Sequence, residues 1–146
     1  MMGFLPRVME SAGELVAKRS VKGSETILLV DDEEGVRKLC CAVLQSNGYS
    51  VLEAGNGSSA LAAYDKNAHK VDLLLTDVVM PMMSGFELGR RLTERTFGLK
   101  ILYMSGYREN NSSGTPGETP IAFLHKPFTP DALLAKVREV LDGASV

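Results

Sequence analysis

The feature of this sequence that most constrains its fold is an alternation that begins at Glu25 and recurs through five units. In it, short apolar runs rich in β-prone residues are followed by longer amphipathic segments. This is the pattern of βα units around a mostly parallel sheet. The runs ETILLVD, YSVLEA, VDLLLTD, KILYMS and IAFLHK are nearly continuous in apolar character, which suits strands covered on both faces. The first helix is expected from about Glu33 to Ser46, with Val36, Leu39, Cys40, Val43 and Leu44 on its stripe and Asn47-Gly48 as its stop. The second, entered through Gly55-Asn56-Gly57, carries Ala60, Leu61, Ala63 and Tyr64. The third starts at Ser84, has Glu87 three residues on to complete a capping box, and carries Phe86, Leu88 and Leu92. The last has Thr129 as N-cap, Pro130 at its first position, and a stripe of Leu133, Leu134, Val137, Val140 and Leu141. Between strands four and five, GYRENNSSGTPGETP is polar and rich in Gly, Ser, Asn and Pro, so a full helix is not expected there. Residues 1–24 lie outside the alternation and read as an N-terminal tail or linker, leaving 25–143 as the folded domain.

A chain of 146 residues has room for one such domain, and 45% hydrophobic residues are enough for its core. Sixteen basic against eighteen acidic residues give a net charge of −2. That balance argues against a nucleic-acid partner held by counterion release. No apolar run approaches the roughly 20 residues of a membrane span. The N-terminus lacks the apolar centre of a signal peptide. The two cysteines, Cys40 and Cys41, are adjacent, where a bridge would be strained. The expectation is a cytoplasmic domain with reduced thiols and no direct membrane contact.

In an open parallel sheet, functional groups gather where the C-terminal strand ends meet. Here strand one delivers Asp31 and Asp32, strand three Asp77, strand four Ser105 and strand five Lys126. Taken singly, Asp32 serves as well for a helix cap and Asp77 for a turn. Together, three carboxylates at one rim repel each other unless a cation neutralises them. Hard oxygen ligands favour Mg²⁺, whereas His69 and His125 are scattered and the chain offers no zinc spacing. A metal, a carboxylate, a hydroxyl and an ammonium suit phosphoryl transfer, with Asp77, on the central strand, as the nucleophile.

ILLVDDEEGVR, LLLTDVVMPMMSG, LYMSGY and FLHKPF, in that order, resemble the receiver domain of two-component response regulators over about Thr26 to Leu141. The resemblance implies a flavodoxin-like, doubly wound α/β fold with a five-stranded parallel sheet of order 2-1-3-4-5, here with helix four short or absent. It implies that Asp77 takes a phosphoryl group from a phosphohistidine on a histidine kinase or histidine phosphotransfer domain. Asp32, Asp77 and the backbone carbonyl of Val79 would bind Mg²⁺, with Asp31 acting through water. Ser105 fills the hydroxyl switch position, Lys126 the phosphate-contacting position and Phe123 the switch aromatic. The Lys126-Pro127 bond is expected to be cis.

Two departures bear on function. RENNSSGTPGETP has no apolar stripe, so signalling by phosphate relay is expected ahead of a dimer formed through helix four, although a homodimer stays open. Val79 and Tyr107, two places beyond Asp77 and Ser105, are apolar and bulky and are expected to slow loss of the phosphoryl group to water. In the tail, GFLPRV resembles the closing strand of the ATP-binding domain of sensor histidine kinases, so the layout resembles the C-terminal receiver of a hybrid kinase. With Val146 as the last residue, no effector domain is expected to follow. An alternative is a degenerate receiver acting only as a docking module. A haloacid-dehalogenase-type phosphatase needs Asp-x-Asp, which neither Asp31-Asp32-Glu33 nor Asp77-Val78-Val79 supplies. A flavodoxin-like cofactor binder needs a phosphate loop where this chain has DDEEG.

Overall fold

The computed structural model describes residues 22–67, 70–106 and 121–143. The strands are β1 (Thr26–Val30), β2 (Ser50–Ala54), β3 (Leu73–Asp77), β4 (Lys100–Ser105) and β5 (Ala122–His125). The helices among the described residues are α1 (Glu34–Ser46), α2 (Gly57–Lys66), α3 (Gly85–Arg95) and α4 (Pro130–Leu141). The strands are all parallel, in the order β2-β1-β3-β4-β5. The polar stretch 107–120, where helix four was expected to be short or absent, lies outside the described residues.

The continuous apolar runs are explained by two cores, one on each face of the sheet. Successive side chains on a strand point to opposite faces. Ile27, Leu29, Leu73 and Leu75 therefore pack with Cys40 and Leu44 of α1 and with Leu133 and Val137 of α4. Leu28, Val30 and Leu74 turn the other way, against Ala60 and Tyr64 of α2 and Leu88 and Leu92 of α3. β3, between these layers and flanked by β1 and β4, is buried at every residue.

Local sequence sets the helix starts. Ser84 Oγ accepts from the Glu87 amide at 3.1 Å, and Thr129 Oγ1 from the Ala132 amide at 3.0 Å, with Pro130 in the first turn. Asn56 caps α2 through the Ser59 amide at 2.8 Å, a role its place between two glycines obscured. The capping box at α3 is only half formed. The Glu87 carboxylate instead takes Arg90 at 2.6 Å and Arg91 at 2.8 Å, because guanidinium groups one turn away offer charge-assisted bonds. Leu39 also departs from its expected place in the buried stripe of α1, being 63% exposed. The buried line of α1 runs through Cys40, Cys41 and Leu44, and Leu39 sits at its margin, one residue or about 100° around the helix from Cys40.

Candidate functional site

Strand register builds the site. Val30 pairs with Thr76, so Asp31 and Asp77 follow side by side at the ends of β1 and β3. Asp77 pairs with Met104, which places Ser105 one step beyond, and Ser105 pairs with His125, which places Lys126 one step beyond that. The sequence-derived groups Asp31, Asp32, Asp77, Ser105 and Lys126 are thus carried to one rim by the sheet itself. The Lys126-Pro127 bond is cis, and the Lys126 amide donates to the Ser105 carbonyl at 2.8 Å.

Carboxylate oxygens of Asp31, Asp32 and Asp77 lie within 4.8 Å of one another, with Asp31 and Asp77 buried and Asp32 exposed. Lys126 Nζ is 3.0 Å from Asp31 Oδ2, 3.2 Å from Asp77 Oδ1 and 3.5 Å from Glu33 Oε1. Glu33 is an acceptor the sequence reading missed; it was legible only as part of an acidic helix start. One ammonium thus faces several carboxylates. Burial pushes the Asp77 carboxyl up to about 6, the nearby Lys126 works against this, and the negative charge of Asp31 adds to it. Burial works against the charge of Lys126, but its bonds to Asp31 and Asp77 outweigh this and hold its pKa above the usual lysine value. Three oxygen donors at hard-ligand spacing, with no His or Cys in the cluster, make a pocket that could hold a divalent cation.

The backbone around Asp77 is closely fitted. The Val78 amide donates to Met104 O at 2.9 Å, and the Gly85 amide to Val78 O at 2.8 Å. A Cβ at Gly85 would collide with the Asp77 carbonyl, so the start of α3 can approach only as glycine. Val79 is 54% exposed in the intervening loop, and Tyr107 lies outside the described residues, as does His69. Ser105 is buried. Phe123 is half-buried, with its ring centroid 5.9 Å from that of Tyr103 and 6.1 Å from that of Phe86. His125 is exposed at the end of β5. Beside Lys126 opens an apolar cavity of about 450 Å³, lined among others by Val36, Leu39, Cys40, Phe128 and Leu133. No helix among the described residues is long and apolar enough to cross a membrane.

Comparison with known proteins agrees with this geometry. Residues 27–138 match the response regulator receiver domain family. The sensor kinase CckA of Brucella abortus is 36% identical over 151 aligned positions, covering 95% of this chain but only 16% of the kinase. The response regulator receiver protein CpdR of the same organism is 36% identical over 121 positions, covering 81% of this chain and 98% of that protein. The crystal structure of the receiver domain of the hybrid histidine kinase CckA superposes with a TM-score of 0.69 at 34% identity, over 80% of this chain and 98% of that one. The matching family spans most of the chain and a solved receiver domain shares its fold: this chain belongs to the response regulator receiver domain family of two-component systems.

Proposed function

We propose that the domain, residues 25–143, is a Mg²⁺-dependent phosphoacceptor whose acceptor is Asp77. The observation that carries this reading is the convergence of three carboxylates within 4.8 Å with a lysine 3.2 Å from Asp77. Asp32, Asp77 and the Val79 carbonyl would hold the ion, with Asp31 acting through water. When bound, Mg²⁺ supplies positive charge to the phosphoryl oxygens and to the crowded rim.

An Asp77 carboxylate oxygen attacks the phosphorus of a phosphohistidine on a histidine kinase or histidine phosphotransfer domain. The new O–P bond forms as the N–P bond breaks, and the imidazole leaves with the electron pair and takes up a proton. Asp77 acts as its anion, so the carboxyl must be ionised, which neighbouring positive charge favours. Lys126 moves its bond from Asp77 to a phosphoryl oxygen, and the Ser105 hydroxyl donates to another. That pull on Ser105 favours the state in which Phe123 packs inward, and this is the switch. Val79 and Tyr107 slow the loss of the phosphoryl group to water.

The apolar cavity lined in part by Lys126, which is bonded to Asp77, gives the phosphodonor protein an apolar seat. Residues 1–24 are a tail or linker joined to a kinase portion. In support, the likeness to the sensor kinase leaves 5% of the chain unmatched, less than the 24 of 146 residues in that segment. The domain works in the cytoplasm, contacts neither nucleic acid nor membrane directly, and catalyses its own phosphorylation and dephosphorylation.

The test is to incubate the full chain with Mg²⁺ and acetyl phosphate and weigh it intact. One phosphoryl adduct, lost in Asp77→Asn, is the expected result. No adduct on the native chain overturns the reading in favour of a docking module.

A further inference from the structure

Asp31 is anchored at each of its polar positions. Its amide donates to Ala54 O at 3.2 Å, its Oδ1 accepts from the Glu33 amide at 2.9 Å and its Oδ2 accepts from Lys126 at 3.0 Å. Its backbone carbonyl accepts from Arg37 Nη1 at 2.8 Å. Arg37 stands in the first turn of α1, is only 15% exposed, and binds Glu53 of β2 through Nε at 3.1 Å. The carboxylate of Glu53 also receives Lys38, at 3.3 Å. A Cβ on Gly55 would come within 3.3 Å of Arg37 Nη1, so the end of β2 leaves a snug space for the guanidinium. One planar cation therefore ties the acidic loop to both a helix and a strand.

We propose that Arg37, held by Glu53, is a positioning residue for the divalent cation. Asp32 is exposed, and the backbone on either side of it is held by the bonds at Asp31 O and the Glu33 amide. The Arg37 bond fixes the carbonyl that immediately precedes Asp32, and the Glu33 amide bond fixes the position that follows. Arg37 takes the carbonyl of Asp31 rather than its carboxylate, so it adds positive charge to the loop while leaving oxygens of the cluster available to the ion. A lysine would keep the charge but could not hold Asp31 O and Glu53 together, because it lacks the rigid fork. Partners that orient ligands without touching the metal commonly change its affinity by tenfold or more.

This inference rests on the Mg²⁺-dependent reading above, and the experiment separates the two. Mg²⁺ binding is measured by calorimetry on the full-length native chain and on Arg37→Lys, Arg37→Met and Glu53→Gln, with circular dichroism to confirm folding. Labelling by acetyl phosphate is then followed against Mg²⁺ concentration. The expected result is Mg²⁺ affinity about tenfold weaker in both Arg37 variants and weakened less in Glu53→Gln. The half-saturating Mg²⁺ for labelling rises in parallel, and the rate at saturating Mg²⁺ stays near native. Folded variants that bind Mg²⁺ as the native chain does, even with lowered melting temperatures, overturn the positioning role. A native chain that binds no Mg²⁺ instead overturns the reading beneath it.

Discussion

The two ends of the sheet are assembled from the same materials and reach opposite electrostatic states. At the end where the strands begin, Arg138 of α4 is bonded to both carboxylate oxygens of Glu25, at 2.6 and 3.2 Å. It also reaches Asp142, the Tyr49 hydroxyl and the Lys22 carbonyl. The bond from Arg138 holds the Glu25 carboxyl below its ordinary value despite partial burial. At the other end, one ammonium is shared among Asp31, Asp77 and Glu33, with Asp32 close by, and the Asp77 carboxyl is pushed up to about 6. Burial and donor number together decide the outcome: Glu25 is only partly buried and meets a guanidinium through two parallel bonds, whereas Asp77 is buried and shares a single lysine with its acidic neighbours. One end is satisfied within the chain, and the other is left in need of positive charge from outside it, as befits a site.

The contrast can be broken from either side. The largest effect is expected at Gly85, where alanine must push α3 away from the Asp77 carbonyl. Gly85→Ala should lose about 3 kcal/mol in urea unfolding and weaken Mg²⁺ binding as well. Arg138→Met removes the clamp at the opposite end and should cost about 2 kcal/mol by the same measurement, with acetyl phosphate labelling unchanged. Its dependence on pH has a defined sign. Because the Glu25 carboxyl is lowered on folding, the stability it provides is present above its ordinary value and lost as pH falls through its lowered one. The difference between native and Arg138→Met should therefore narrow in acid. Lys126→Met removes the shared ammonium, and labelling of Asp77 should fall by at least tenfold while Mg²⁺ still binds. The smallest effect belongs to the exposed pairs of α3: Arg90→Ala should leave the unfolding curve essentially unmoved, since Arg90 and Glu94 are 57% and 66% exposed.

How legible each end was follows from how local its information is. The site residues stand at strand ends, where an apolar run stops at a charge, and the parallel register then assembles them without further instruction. The two faces of the core were legible for the same reason, through continuous apolar strands. The clamp was not, because Arg138 and Glu25 are 113 residues apart in sequence and neither interrupts a pattern. Arg37 was hidden in the polar face of its helix, where Glu53, 16 residues on, looks like one more surface charge. Leu39 shows the limit of periodicity, which marks a stripe but not its margin. Residues 107–120, Tyr107 among them, lie outside the described residues.

Whether the rim holds charge it cannot satisfy alone is decided by thermal unfolding of the native chain and Asp77→Asn, with EDTA and then with Mg²⁺. Since the Asp77 carboxyl is raised on folding, its ionisation costs stability that is intact below its ordinary value and lost as pH rises through about 6. In EDTA at pH 7.5, Asp77→Asn should be the more stable by about 2 kcal/mol, with the gap closing toward pH 4. Mg²⁺ should then stabilise the native chain far more than the variant. An Asp77→Asn protein no more stable than native in EDTA, and equally responsive to Mg²⁺, would contradict it.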